Sequence, residues 1–160
     1  QHDSSEQWKD LPRMNEWLLD QVSQIKKHTD KNIIIRPHPR NMISIKMSGV
    51  HTQVPRRNPN TYDDTDFVKQ LDDAFAVVNH SSNPAMEAVF HGVPVFTSPS
   101  SLSYDVANKD YKNLKNPETP DREEWAHKLC HTEWWIDEIV EGVPWARIRK
   151  QIEKKYYARD

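Results

Sequence analysis

The sequence predicts an α/β fold: a Rossmann-like three-layer sandwich with a short parallel sheet and a helical C-terminal tail. Three observations point to it. Ile33-Ile34-Ile35 runs straight into the polar turn Arg36-Pro37-His38-Pro39-Arg40, and Phe75-Ala76-Val77-Val78 runs into Asn79-His80-Ser81-Ser82-Asn83-Pro84. The second turn opens a helix that stops at Gly92, and Val93 to Thr97 then reads as another strand, which completes a β-α-β unit with a right-handed crossover. The last forty residues carry helical patterning interrupted at Gly142-Val143-Pro144.

Each element has its own local signal. The first dozen residues are polar and are expected to be irregular. From Pro12 to about His28, Met14, Trp17, Leu18, Val22 and Ile25 recur at three- and four-residue steps, the face of an amphipathic helix. Thr29 to Asn32 is a turn. Ile33 to Arg36 reads as a strand covered on both faces, because its apolar run is unbroken. Residues 40–62 are expected to form a loop holding at most one short strand. Asp64 or Thr65 is placed to cap a helix reaching about Asp73 that buries Phe67, Val68 and Leu71. Pro84 suits a first helical turn, with Ser82 or Asn83 as its cap. A serine-rich loop, Ser98 to Ser101, leads into a polar stretch ending near Pro120. Helices are then expected over Asp121–His131, Trp135–Glu141 and Trp145 to about Tyr157.

Composition narrows the function classes. A chain of 160 residues is the size of one domain with a proper core; we divide it into an α/β core over 12–119 and a helical tail over 120–160. Three glycines argue against a glycine-rich phosphate loop, so an anion here would be held by side chains and a helix end. A net charge of −2 excludes a simple polyanion-binding protein. Arg36, Arg40, Arg56 and Arg57 nevertheless form a local basic stretch. The single Cys130 permits no internal disulfide and reads as a small buried thiol in a helix. No apolar run approaches membrane-spanning length and no leader-like start is present, so the expected setting is the cytoplasm of a bacterium or of a phage-infected cell. No metal-ligand spacing occurs, and no metal or other cofactor is expected.

His38 is the sharpest chemical candidate. It follows a strand, lies between two prolines that stiffen its turn, and has Arg36 and Arg40 on either side. An imidazole so placed can donate to a phosphate oxygen, and the anion would favour its charged form. Its alternative is a histidine bonded to backbone in a strand-end turn. Of Ser81 and Ser82, one can cap the following helix and the other can offer hydroxyl and amide to an anion favoured by the helix dipole. Glu87, one turn further on, can accept from a ribose diol, or is simply a surface carboxylate. Trp125, Trp134, Trp135 and Trp145 are expected to cover the sheet or a partner domain, with sugar or base platforms as the alternative.

Arg36-Pro37-His38-Pro39, followed by Ser81-Ser82, Glu87-Ala88 and Gly92-Val93-Pro94-Val95-Phe96, resembles the donor-binding half of GT-B glycosyltransferases with His-Pro and Ser-Ser motifs. That group includes capsule polysaccharide Kdo transferases, bacterial sialyl- and polysialyltransferases, and the glycerophosphotransferases of teichoic acid synthesis. The tail, from Asp121-Arg122-Glu123-Glu124-Trp125 through Gly142-Val143-Pro144-Trp145, is similar to glycosyltransferase-like proteins of tailed phages. The resemblance spans about residues 12 to 150.

What the resemblance implies is a single nucleotide-sugar-binding domain. Its donor phosphate would be held by His38, Ser81 and Ser82, with Arg36 and Arg40 beside them, and its ribose by Glu87. The family's acceptor half, which supplies the catalytic base, has no counterpart here. His80, Asp63 and Asp64 remain without preference among them, and the catalytic residue is unassigned. The implied activity is transfer of a sugar from a nucleotide-sugar to a glycan or other acceptor, completed by a missing acceptor domain or by a second subunit. A non-catalytic nucleotide- or partner-binding module is the alternative, as is glycosylation of phage DNA bases; the charge balance does not itself indicate nucleic acid.

Overall fold

The computed structural model describes residues 14–38, 45–60 and 63–157. Arg40, the first dozen residues and the first part of the 40–62 stretch, for all of which the sequence carried expectations, lie outside them. The chain divides into two compact units, Gln1–Asp121 and Arg122–Asp160.

In the first unit, helix α1 (Met14–Lys26) buries Met14, Val22 and Ile25, members of the stripe read from spacing. Strand β1 (Ile33–Ile35) pairs in parallel with β2 (Val50–Thr52), Ile33 opposite Val50 and Ile35 opposite Thr52. Gly49 enters β2 with φ of 69°, in the left-handed region that a glycine adopts without strain. The expectation that β1 is covered on both faces is wrong: Ile34 is 66% exposed and its register neighbour His51 is exposed too, so this pair buries only one face.

Helix α2 (Phe67–Leu71) is capped by Asp66, whose side chain accepts from the Lys69 amide at 3.2 Å. Neither Asp64 nor Thr65 caps it, because Asp66 holds the position just before the helix from which a side chain reaches the Lys69 amide. Asp64 pairs with Arg56, and the Thr65 amide donates to Asp63 Oδ1. Strand β3 (Val77–Val78) pairs in parallel with β4 (Val95–Phe96), joined by α3 (Pro84–Phe90) as the β-α-β reading required.

Pro84 stands in the first turn of α3, and Gly92 ends the helix at φ of 76°. The Val93 amide donates to the Ala88 carbonyl at 2.9 Å and the Gly92 amide to that of Val89 at 3.0 Å, the two bonds of a Schellman stop. Gly92→Ala keeps both carbonyls but forces a Cβ into left-handed backbone, and should cost about 1 kcal/mol in urea unfolding.

The fold is therefore α/β with short parallel strand pairs and C-terminal helices, and among the described residues the strands form two two-stranded sheets. One apolar cluster joins both: Ile25, Phe96 and Leu114 are its buried centre, with Ile33 of β1 and Val78 of β3 packed against it. The polar stretch after β4 contributes two 3₁₀ turns, Tyr104–Val106 and Tyr111–Lys115. Tyr111 stacks on Phe96 with ring centroids 5.4 Å apart and donates to Gln21 on α1. Burial and the nearby Asp20 push its phenol up to about 12.

The second unit holds α4 (Glu123–Cys130), α5 (Ile136–Val140) and α6 (Val143–Tyr156), with Gly142 at φ of 77° between the last two. Cys130 is exposed, contrary to expectation, because α4 turns Trp125 and Leu129 inward and leaves its last residue outside. The tryptophans divide. Trp125 is buried, Trp134 is half-buried beneath the Arg147 guanidinium, and Trp135 and Trp145 are 81% and 56% exposed. Among the described residues, no helix is long and apolar enough to cross a membrane.

Candidate functional site

The site builds from the carboxyl ends of β3 and β4. Beyond the strands the two segments stay tied together: the Asn79 amide donates to the Phe96 carbonyl at 3.1 Å, and the Ser98 amide to the His80 carbonyl at 3.0 Å. Ser98 Oγ donates to that same carbonyl at 2.8 Å and lies 2.7 Å from Ser100 Oγ. Asn79 Nδ2 closes the turn on the Ser82 carbonyl at 3.0 Å. The result is a polar rim made of two adjacent loops.

Two buried polar atoms on this rim, Asn79 Oδ1 and Thr97 Oγ1, have no hydrogen-bond partner. They follow directly on the Val78–Phe96 register pair. A buried polar atom left unpaired costs about 1–3 kcal/mol, so two of them at neighbouring strand ends mark a place where a ligand or ordered water can complete the bonding.

His80 is buried, its ring T-shaped to that of Trp17 with centroids 5.9 Å apart, and Nδ1 lies 3.2 Å from Ser81 Oγ. Burial holds its pKa below the ordinary histidine value, which keeps the ring neutral near pH 7. A neutral imidazole beside a hydroxyl fixes how that hydroxyl points.

Ser81 and Ser82 are both half-buried on the same turn. Neither caps α3: Asn83 occupies the cap position in helical backbone with no side-chain cap bond, because the Ala85 amide already turns back to the Ser82 carbonyl. Both hydroxyls thus precede the helix instead of closing it. Glu87 is 48% exposed on α3, with Oε1 3.2 Å from His91 Nε2.

The other turn is organised differently. Pro37 is buried and His38 exposed. Arg36 points into a polar hub: its guanidinium donates to Gln70 Oε1 at 2.8 Å, to Asp63 Oδ2 at 3.1 Å and to the Thr65 carbonyl at 2.9 Å, over the ring of Phe67. Gln70 continues to Gln53 at 3.0 Å, and Asp63 Oδ1 takes the Arg56 amide at 3.1 Å. Burial alone would raise the Asp63 carboxyl. The hydrogen bonds from Thr65 and Arg56 and the charge of Arg36 outweigh it and leave the pKa below its ordinary value. Arg36 thus fastens the end of β1 to the loop and to α2.

On this rim the sequence singled out Ser81 and Ser82 but not Asn79, Thr97 and Ser98. The signal for these was present, since all three follow directly on the same strand pair, but the serine-rich loop read only as a connection. Among the described residues, no group of three or more His, Cys, Asp or Glu side chains is gathered as a metal site. No protein-family model matches this chain, and neither does any curated protein or solved structure.

Proposed function

We propose that this chain binds the nucleotide of an activated sugar and serves as the donor half of a glycosyltransferase. The observation that carries the reading is the rim beyond β3 and β4: Ser81 and Ser82 stand on a turn whose buried neighbours Asn79 Oδ1 and Thr97 Oγ1 lack partners. A phosphate has acceptor oxygens for hydroxyl and amide donors, and a ribose supplies hydroxyl donors for an acceptor such as Asn79 Oδ1. In this reading His38 and Arg40 bring positive charge to the phosphate, and Glu87 receives the ribose diol. Arg36 braces the turn that carries His38.

Sugar transfer breaks the bond between the anomeric carbon and the phosphate oxygen, and the electron pair leaves with the phosphate. Donors aimed at that oxygen act where charge develops. The acceptor hydroxyl forms the new bond at the anomeric carbon and gives up its proton to a base, which we place on an acceptor domain or a partner.

The test is turnover. The chain, alone and mixed with candidate acceptors, is incubated with CMP-, UDP- and GDP-sugars, and free nucleotide is measured. Acceptor-dependent release that falls in Ser81→Ala and Ser82→Ala supports transfer. Nucleotide binding without any release supports a binding module instead.

A further inference from the structure

Helix α6 carries an exposed ridge with an unusual symmetry. Trp145, Arg149 and Glu153 in the helix and Tyr157 at its C-cap are spaced by four residues, so they follow one ridge. Trp145 is 56% exposed and Tyr157 75%, and the side chains of Arg149 and Glu153 are 59% and 50% exposed. The same four, with Ile152 and Lys154, line a shallow groove open to solvent. In order the ridge reads aromatic, cation, anion, aromatic.

Turned end for end, that order is its own complement. We propose that this ridge docks a second copy of the chain, with the two α6 helices antiparallel and crossing at the level of Gln151. In that register Arg149 faces the partner's Glu153, Glu153 faces the partner's Arg149, and each Trp145 meets the partner's Tyr157. An isologous two-fold contact requires this self-complementarity.

Charge selects the occupant. Arg149 and Glu153 already pair within the helix at 2.6 Å. Lys150, Lys154 and Lys155 leave the helix basic, but an anionic bilayer or a nucleic acid offers no cation to meet Glu153, whereas a second copy does. Against a second copy the same two groups become a four-membered network of alternating sign. An aromatic side chain carries about 150–250 Å², so Trp145, Tyr156 and Tyr157, all largely open, supply the apolar centre of a contact that takes about 800 Å² from each partner at standard size.

Sedimentation equilibrium of the full chain over a range of concentrations tests this. The wild type should be a monomer–dimer equilibrium. Arg149→Glu or Glu153→Arg alone sets like charges face to face and should weaken dimerisation by about tenfold or more. The double exchange, Arg149→Glu with Glu153→Arg, restores every pair and should return the constant to within about threefold of wild type. Trp145→Ala should weaken it independently, with circular dichroism showing that each variant stays helical. A wild type that is monomeric throughout overturns the proposal, as does a dimer indifferent to both single reversals. A monomer that sediments with phosphatidylcholine–phosphatidylglycerol vesicles overturns it in favour of a lipid surface.

Discussion

Replacing His38 with alanine should lower the affinity for the nucleotide proposed to bind here by about 10- to 100-fold, the equivalent of one charge-assisted hydrogen bond of about 1.5–3 kcal/mol. His38 is exposed and follows the buried Pro37, so its removal opens no cavity. Thermal stability should therefore stay close to wild type while binding falls. The two readouts together separate a ligand contact from a structural one. The loss should be largest at pH 6 and smaller at pH 8, since only the charged imidazole adds a full charge to the phosphate and a phosphate nearby raises the pKa of the ring.

Asp63→Ala should have the largest effect on folding, a loss of about 2–3 kcal/mol in urea unfolding. The Asp63 side chain is 5% exposed and holds together three separate pieces of chain: the Arg36 guanidinium after β1, the Arg56 amide and the Thr65 amide before α2. Its removal leaves the Arg36 charge, itself only 27% exposed, without its anion. The pH dependence has a definite sign. The folded carboxyl titrates below its ordinary value of 3.8, so the folded state binds its proton less readily than the unfolded chain. The contribution is complete above that ordinary value and is lost as pH falls through the folded value. The stability gap between wild type and Asp63→Ala should therefore be constant from pH 6 to 5 and close on further acidification. A gap that widens in acid would show that Asp63 is not held as the anion.

These two residues also show what a sequence can and cannot reveal. His38 stands out in the sequence because its signals are local: an apolar run, two prolines and a basic neighbour on each side; its role at the site is the proposal. Pro84 and Gly92 were legible for the same reason, since each marks a helix end by its own backbone chemistry. Arg36 looked like a second phosphate ligand because its partners, Asp63 and Gln70, lie 27 and 34 residues away and carry no periodic signal. Strand β2 is three residues long, too short for alternation to show, and without it the pairing of β1 could not be read. The exposure of Ile34 follows from that pairing: three isoleucines in a row look buried on both faces, yet a two-stranded sheet covers one. In the tail, apolar spacing located the helices, but nothing local distinguishes Trp125, turned inward, from Trp135 and Trp145, turned out.

In the proposed function the turn after β1 and the turn after β3 hold one nucleotide between them. Calorimetric titration with CMP, CDP, UMP, UDP and GDP tests it most directly, run on wild type, His38→Ala, Ser82→Ala and the double variant. The account predicts saturable binding of one nucleotide class, weakened by either single substitution, with the double variant showing that the two losses act on the same ligand. No binding by any of the five, or binding that ignores both substitutions, would contradict it.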